Sequence, residues 1–344
     1  MRAFAMTDFD AVPALTDLEM PEPAEGEVRV RIRAASVNGF DLAVAAGYTK
    51  DYMEHRFPLV LGKDFAGEVD AVGTSVTDYA VGDRVFGTVT KPYLGDGSFA
   101  EYVTVPTAIG IAKLPENVSF TDGAGLGLAG AAAHGIIDAA ALHPGQTLLV
   151  AGATGGVGTQ VVQLAAAAGA RVIATAHTDA ERELVSRLGA EVVVDHQADL
   201  ASQVRAAVPD GVDAVAHLAG DASVVELVRE GGRFASTLLQ SPEQLTAETA
   251  TVVPVFANPT PETLARCAAS QANGETTVAI QEIFSLEQLQ AALDAFTHGT
   301  WARSSSLPTD PGPYLLSNPA FLVGDHARIS PPPVRKTLVT GARR

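Results

Sequence analysis

The chain has 344 residues, and because compact domains usually have about 100–200 residues, this length predicts two of them. Its formal charge of −17 argues against DNA or an anionic membrane surface as a partner, and no apolar run reaches the roughly 20 residues of a membrane-spanning helix. The one cysteine, Cys267, excludes an intramolecular disulfide and a cysteine-based zinc cluster. The N-terminus has no secretory signal pattern, so we expect a cytoplasmic protein that acts on a small molecule, without nucleic-acid or membrane partners.

The first third of the chain has the pattern of a small β-rich domain. Val28, Val30 and Ile32 alternate with charged residues within 26–37, and this period of two indicates a half-buried strand. Further short β-like runs, broken by Gly, Pro and Asp, cover 59–73, 83–89 and 99–106.

From about residue 120 the pattern changes to strands that alternate with helices. Strands are predicted at 147–152, 171–176, 191–196, 212–220, 232–238 and 251–257, and helices at 157–169 and 179–189. Continuous apolar strands between helices indicate a parallel sheet covered on both faces. One more strand (276–284) and helix (285–299) follow, and Ser285 with Gln288 forms an S-x-x-Q capping box.

The stretch LLVAGATGGVGTQ (148–160) predicts a phosphate-binding loop between a strand and a helix. Such a loop needs a tight turn, close approach of the backbone to a pyrophosphate, and a helix whose first N–H groups face the anion. The loop residues predicted to bind a dinucleotide are Ala153, Thr154, Gly155, Gly156, Val157 and Gly158, with alanine in the first glycine position of G-x-G-x-x-G. A glycine-rich corner without a ligand is the less favoured alternative.

The choice between NAD and NADP depends on the end of the second strand, about 20 residues after the loop. An acidic residue there binds the 2′-hydroxyl of NAD, whereas this chain has His177 and Thr178, followed by Arg182. These three residues favour the 2′-phosphate of NADPH over NADH. Asp179 and Glu181 weaken the prediction, and Arg182 as a solvated charge on a helix is an equal alternative.

Several motifs together resemble one family. These are SVNGFD (36–41), PLVLGKDFAGEVDAVG (58–73), GDRVFG (82–87), GSFAEYVTVP (97–106), PGQTLLVAGATGGVGTQVVQLA (144–165) and GARVIATA (169–176). They resemble the medium-chain dehydrogenase/reductase superfamily, and within it the zinc-independent quinone oxidoreductase-like branch, over about residues 1–299.

The resemblance implies an α/β protein with a GroES-like β-rich catalytic domain (1–119) and a Rossmann NADPH-binding domain with a doubly wound parallel sheet (120–255). The chain would then return to the catalytic domain over 256–299. Further cofactor contacts implied by the resemblance are Thr175, Leu218, Ala219, Phe256 and Asn258. One expected contact is in doubt, because Ala131 and Ala132 stand where related proteins commonly have threonine.

The resemblance also implies chemistry without a metal. Zinc-dependent members have a His-Glu pair where this chain has Lys63 and Asp64, and a cysteine where it has Val37 and Asn38. Hydride transfer would then rely on the geometry of the site and on donors that polarise the acceptor carbonyl. Quinones and α,β-unsaturated carbonyls suit this chemistry because conjugation spreads the developing negative charge.

Candidate catalytic residues are Asn38, Asp41, Tyr48, Tyr52 and Lys63. Asn38 and Asp41 belong to the SVN-x-x-D motif, and Tyr48 has a hydroxyl suited to protonate an enolate. An aromatic side chain that closes a loop is an equal alternative for Tyr48, and a structural ion pair with Asp64 is the alternative for Lys63. His134 is expected to be a packed core residue.

We therefore predict a zinc-independent, NADPH-dependent reductase of quinones or α,β-unsaturated carbonyls. An enoyl-thioester reductase and a non-catalytic NADPH-binding redox sensor remain as alternatives. A homodimer formed through the 251–257 edge strand is plausible.

Residues 300–344 differ from the rest. They hold seven of the 20 prolines and lack periodicity, which predicts a disordered or loosely docked tail. Possible codons for the stretch from Trp301, read in a shifted frame, encode the Leu-Gly-Thr-Leu-Val-Val of an apolar last strand, so a frameshift is our hypothesis. Under this hypothesis the small domain lacks its last strand unless KTLVT (336–340) substitutes for it. The alternative is a genuine extension of the chain.

Overall fold

The small domain is organised around one long strand. In this computed structural model, which describes residues 1–298 and 320–324, β3 (Glu27–Val37) pairs antiparallel with β6 (Asp64–Val72), with β9 (Tyr102–Pro106) and with a strand near the C-terminus that is described below. The predicted alternation is confirmed, because Val28 and Val30 are buried while Arg31 is exposed. The elements of this part are β1 (Arg2–Met6), β2 (Ala14–Asp17), β3, α1 (Gly39–Ala45), β4 (Glu54–His55), β5 (Leu59–Val60), β6 (Asp64–Val72), β7 (Arg84–Thr88), β8 (Tyr93–Leu94), β9 (Tyr102–Pro106) and β10 (Ile111–Lys113).

The second domain contains a six-stranded parallel sheet with the order β13-β12-β11-β14-β15-β16. Leu148 and Val150 pack on one face of it and Leu149 on the other, which explains why the strand sequence is apolar throughout. The predicted doubly wound sheet is confirmed. Its elements are β11 (Thr147–Ala151), α3 (Gly156–Ala167), β12 (Arg171–Thr175), α4 (Asp179–Arg187), β13 (Val192–Val194), α5 (Leu200–Ala207), β14 (Val212–His217), β15 (Val228–Ser236) and β16 (Thr251–Pro254).

A long helix, α2 (Phe120–Ala140), lies between the two domains. It packs on β3, β6 and β7 of the small domain and on α3, β14 and β15 of the second. Its glycines allow this close contact: a Cβ at Gly127 would lie 2.5 Å from Asp64 Oδ1. No helix in the described part of the chain combines the length and apolar character needed to cross a bilayer.

After β16 the chain returns to the small domain through α6 (Pro261–Ala272), β17 (Ile280–Phe284) and α7 (Leu289–His298). The backbone N–H of Ser285 donates to Gln288 Oε1 at 3.1 Å, as the capping box predicts. This box begins a short 3₁₀ turn at Leu286–Gln288 that leads into α7.

The expectation of a tail without regular structure needs one correction. Residues Ala320–Gly324 form β18, which lies between β17 and β3 in the small-domain sheet, parallel to the first and antiparallel to the second. The apolar run AFLVG therefore provides the last strand, and β17 joins the sheet through it. Trp301 and the KTLVT segment lie outside the described residues, and the frameshift stays a hypothesis.

The position of β18 can be tested with proline, which has no N–H for the strand ladder. Leu322 is in register with Ser36 of β3 and with Ile283 of β17. We expect Leu322→Pro to lower the free energy of unfolding by about 3 kcal/mol in urea titrations. Leu322→Val keeps the N–H and serves as the control; equal stability of the proline variant and the wild type would contradict this placement.

Candidate active site

The glycine-rich loop has the close backbone packing that a phosphate site needs. Gly152 follows β11 with a φ of +92°, and Gly155 precedes the first turn of α3. A Cβ at Gly158 would lie 2.1 Å from the carbonyl oxygen of Gly152, so only glycine lets the helix begin this close to the turn. The first N–H groups of α3 therefore lie at the carboxyl end of the central strand, which is where a dinucleotide pyrophosphate binds.

Thr175 supports this turn from the neighbouring strand. Its Oγ1 accepts a hydrogen bond from the Gly152 backbone N–H at 2.9 Å and donates one to the Val150 carbonyl at 3.2 Å. Leu218 and Ala219 lie on the other side of the turn, since a Cβ at Gly152 would be 2.9 Å from that of Ala219. The structure thus brings these three predicted residues to the loop.

His217 fixes the start of the segment that carries Leu218 and Ala219. Its Nδ1 lies 2.9 Å from Ser236 Oγ and its Nε2 lies 3.2 Å from the Gly220 carbonyl. Burial lowers the pKa of His217, which favours the neutral ring that bridges these two groups.

The predicted site for the 2′-phosphate contains an acidic residue that the local sequence does not show. Asp195, just after β13, lies 3.0 Å from His177 Nδ1 and 3.4 Å from Arg182 Nη2. Backbone donation from Gln197, followed by His177, lowers the pKa of Asp195. Thr178 caps α4 instead, accepting from the Glu181 N–H at 3.3 Å. His177 and Arg182, which were both predicted to meet a phosphate, are therefore already in contact with one carboxylate.

A buried hydrogen-bond network lies on the small-domain side. Asp64 is fully buried, and each carboxylate oxygen accepts two hydrogen bonds. Oδ1 accepts from Thr88 Oγ1 at 2.8 Å and from the Leu128 N–H at 2.9 Å. Oδ2 accepts from Ser36 Oγ at 2.9 Å and from Asn38 Nδ2 at 3.0 Å. Burial raises the pKa of Asp64, and these four hydrogen bonds oppose the rise.

Two predicted catalytic residues are held beside this network. Asp41 is buried and accepts a hydrogen bond from the Asn38 backbone N–H at 2.8 Å, and burial raises the pKa of its carboxyl well above the usual range. Lys63 donates to the Val89 carbonyl at 2.6 Å, and burial lowers the pKa of its ammonium. Both line a pocket on the small domain together with Phe40, Tyr93 and Asp96.

A cleft between the domains connects the phosphate loop with Asn38. It is lined by Ser36, Val37, Asn38, Gly125, Ala129, Gly156, Thr159, Gln160, Val278 and Ala279. Gln160 and Gln163 of α3 donate to the Thr277 carbonyl at 3.0 Å each, and the Thr277 N–H donates back to Gln163 at 2.8 Å. The helix that begins at the phosphate loop thereby also holds the segment that forms one wall of the cleft.

Other predicted residues are not brought into this cleft. The tyrosines are exposed, Tyr48 by 46% and Tyr52 by 66%, and within the described chain no hydrogen bond reaches either hydroxyl. Phe256 and Asn258 are exposed at the end of the second domain. Their roles stay predictions. His134 is buried, as expected for a packed core residue.

Sequence reasoning missed Ser36, Asp64, Thr88, Gln160 and Gln163 as organisers of the site. Polar residues within apolar segments, such as the two glutamines of TQVVQLA, could have indicated these residues. A polar side chain in such a segment is expected to be buried, and buried polar groups need hydrogen-bond partners. Their partners, however, lie on distant parts of the chain.

The residues at the family's zinc positions make hydrogen bonds within the protein. Among residues 1–298 and 320–324, no group of three or more His, Cys, Asp or Glu side chains is placed to hold a metal ion. At the positions of the family's zinc ligands, Asp64 accepts four hydrogen bonds within the protein and Asn38 donates to it.

A dinucleotide-binding domain joined by a cleft to a GroES-like domain defines the class of protein. The family models "Alcohol dehydrogenase GroES-like domain" and "Zinc-binding dehydrogenase" match residues 24–116 and 156–259. A quinone oxidoreductase from Lama guanicoe is 31% identical over 68% of this chain and 71% of its own length. The chain belongs to the medium-chain dehydrogenase/reductase superfamily, in its quinone oxidoreductase-like branch.

Other relatives differ in length and activity. A 2-methylene-furan-3-one reductase from Solanum lycopersicum is 33% identical over 67% of this chain and 61% of its own. A mycocerosic acid synthase-like polyketide synthase from Mycolicibacterium smegmatis is 36% identical over 64% of this chain, but only 10% of that protein is matched. A mycobacterial protein solved in complex with NADPH superimposes with a TM-score of 0.75 at 26% identity, covering 94% of this chain and 100% of that one.

The phosphate loop generates a direct test. We expect Gly158→Ala to weaken NADPH binding at least tenfold, about 1.4 kcal/mol, because the added methyl group meets the Gly152 carbonyl. Titration of nicotinamide fluorescence measures the Kd. Ala153→Gly, which removes a methyl group from the same loop, is the matched control and should bind normally. Unchanged affinity of the Gly158 variant would contradict the assignment of the loop.

Proposed function

We propose that this protein is an NADPH-dependent, zinc-independent reductase that transfers a hydride to a quinone or an α,β-unsaturated carbonyl. The observation that carries the proposal is the cleft that runs from Gly156 of the phosphate loop to Asn38 of the small domain. NADPH, when bound, supplies the hydride from C4 of its nicotinamide ring. The quinone oxidoreductase and furanone reductase relatives support this class of acceptor.

The residues of this chain would hold and shield the reacting groups. The loop from Gly155 to Gly158 would bind the pyrophosphate, and the Gln160–Thr277 contact would keep the opposite wall of the cleft in place. Six of the ten residues that line the cleft are small and apolar, and they would limit the access of water to the hydride path. A conjugated acceptor needs no metal, because its own π-system spreads the charge that arrives with the hydride.

Turnover is tested with purified protein, NADPH or NADH, and a panel of quinones, alkenals and enoyl thioesters. We expect loss of absorbance of the reduced nicotinamide with quinones or alkenals, and the same rate after exhaustive chelation. Loss of activity on chelation that zinc restores would contradict the metal-free mechanism. Cofactor binding without consumption on any acceptor would favour the redox sensor.

An enoyl-thioester reductase is the second candidate, favoured by the polyketide synthase relative. The same panel separates the two functions, because a thioester reductase should consume NADPH faster with enoyl thioesters than with quinones. Quinones, alkenals and enoyl thioesters all contain a small conjugated system, so the presence of activity does not separate the two functions. The panel therefore compares the kcat/KM values for the three types of acceptor.

In this proposal, the choice between NADPH and NADH depends on whether Arg182 pairs with Asp195 or with the 2′-phosphate of the cofactor. Because Asp195 competes with a 2′-phosphate for Arg182 and His177, we expect Asp195→Asn to increase the affinity for NADPH about fivefold. Arg182→Ala should weaken NADPH binding about tenfold and NADH binding much less. Isothermal titration with each cofactor measures both changes.

Arg187→Ala is the matched control for charge removal. Arg187 lies on the same helix, is exposed, and pairs with Glu183 at 3.5 Å. The Arg187→Ala variant should leave the affinities for NADPH and for NADH unchanged. A preference for NADH in the wild type, or equal losses for the two cofactors in Arg182→Ala, would contradict the NADPH assignment.

The edge position of β16 in the parallel sheet supports the proposed homodimer, since an open strand edge can pair with its copy in a second chain. Sedimentation of the wild type tests this part of the proposal.

A further inference from the structure

Lys63 is a shielded ammonium group whose hydrogen bonds within the protein are incomplete. Its Nζ donates to the Val89 carbonyl oxygen at 2.6 Å, and the centroid of the Phe40 ring lies 5.2 Å from the same nitrogen. Among the described residues, no second oxygen accepts from Nζ and no carboxylate forms an ion pair with it. An ammonium has three N–H donors, so at least one of them remains for another group.

Lys91 shows what a shielded lysine of the same domain requires. Its Nζ donates to Asp96 at 2.7 Å and to Thr104 at 2.8 Å, and it lies 3.1 Å from Glu27 Oε1. Each N–H group of Lys91 therefore has an oxygen partner. Because a shielded charge without partners is costly, the unused donors of Lys63 indicate a place for a solvent or ligand oxygen.

The pocket at Lys63 combines apolar walls with one cationic group. The Tyr93 hydroxyl donates to Asp96 at 2.7 Å, and Asp41 accepts from the Asn38 backbone N–H, so these polar groups have partners within the protein. Lys63 is the cation among the residues that line the pocket. The apolar lining includes Phe40, Val44, Leu59, Leu61, Val89 and Leu94.

This pocket adjoins the cleft that leads from the phosphate loop. Asp41 lines the pocket, and its carboxyl group lies 2.8 Å from the backbone nitrogen of Asn38, which lines the cleft. Lys63 directly precedes Asp64, whose Oδ2 accepts from the cleft residues Ser36 and Asn38. The pocket and the cleft thus share one wall, and a small molecule held at Lys63 would adjoin a dinucleotide in the cleft.

We propose that Lys63 is a catalytic residue that donates a hydrogen bond from its ammonium group to the carbonyl oxygen of the acceptor. The inference rests on the proposed function, because it assigns the acceptor site of that reaction. The apolar walls would hold the rest of the acceptor. The pocket therefore selects uncharged, mainly apolar carbonyl compounds, since among its lining residues no second cation is present to bind a carboxylate or a phosphate.

The donor would act where negative charge develops. Hydride addition to the β-carbon breaks the C=C π bond, and its electron pair moves to give an enolate with the charge on the carbonyl oxygen. The Lys63 ammonium binds this oxygen more strongly than the neutral carbonyl, so it stabilises the transition state more than the bound acceptor. Water then protonates the α-carbon, which gives the saturated carbonyl compound and the oxidised cofactor.

Lys63→Met removes the donor but keeps a long apolar side chain. We expect kcat/KM for alkenals, measured by absorbance of the reduced nicotinamide, to fall about 100-fold. The Kd for NADPH without an acceptor should not change, because Lys63 does not line the cleft. Lys113→Met is the matched control and should keep the wild-type kcat/KM, since Lys113 is an exposed lysine paired with Asp83 at 3.0 Å.

A series of ring-substituted cinnamaldehydes separates hydrogen bonding from a structural effect. Without the Lys63 donor the acceptor must carry more of the charge itself, so electron-withdrawing substituents should raise kcat/KM more steeply in Lys63→Met than in the wild type. A variant that is merely distorted or partly folded loses the same factor with every member. An equal loss across the series therefore overturns the proposal.

Aminoethylation keeps the proposal testable if Lys63→Met fails to fold by circular dichroism. Lys63→Cys alkylated with 2-bromoethylamine regains an ammonium on a side chain of nearly the length of lysine. The native Cys267 is buried, and burial raises the pKa of its thiol to about 12, so it should resist alkylation. We expect alkylation to raise kcat/KM of Lys63→Cys about tenfold or more. No gain after complete alkylation, verified by mass spectrometry, overturns the proposal.

Failure of the role of Lys63 can be told apart from failure of the proposed function. A wild type that consumes neither NADPH nor NADH with any acceptor overturns both. Turnover by the wild type that persists unchanged in Lys63→Met overturns the role of Lys63 alone. The same holds if NADPH affinity falls as much as kcat/KM, because Lys63 would then act on the cofactor and not on the acceptor.

Discussion

The buried carboxylate of Asp64 is the constraint on which the arrangement of the site depends. An ionised group buried this completely is strongly destabilising unless each oxygen is hydrogen-bonded. Its four donors come from β3, the residue before α1, β7 and α2, so satisfying one side chain fixes four parts of the chain relative to one another. Gly127 completes the constraint, since a side chain there would strike the carboxylate and push α2 away from the small domain.

Helix α3 has the corresponding role on the other side of the cleft. Its first turn, at Gly156–Gly158, lies against the Gly152 turn, and in the next two turns Gln160 and Gln163 donate hydrogen bonds to Thr277. A shift of this helix would therefore move the phosphate loop and the wall at Val278 together. The cleft thus has one wall organised by the buried charge of Asp64 and one organised by the buried amides of Gln160 and Gln163.

Much of the fold could be predicted from local patterns, while the site could be predicted only in part. Period-two alternation identified β3, and apolar strands between helices identified the parallel sheet. Asp195 was missed at the 2′-phosphate position because it follows β13, and it meets His177 only when β12 and β13 pair in parallel. The strand at Ala320–Gly324 was missed because Pro-rich sequence around it hides a five-residue apolar run.

The sequence by itself determined the two-domain α/β architecture, the glycine-rich loop and the residues that stand in place of zinc ligands. The first two features are local, since each depends on residue type and on spacing along a few turns of chain, whereas the third is what the resemblance to the family implies. The tertiary structure alone decided which groups donate to the buried carboxylate of Asp64 and which carboxylate pairs with Arg182. Hydrogen bonds between side chains depend on distance and direction in space. Asp64 and Asp195 come close to their partners only because strands that are separate in the sequence pair with each other in the folded sheets.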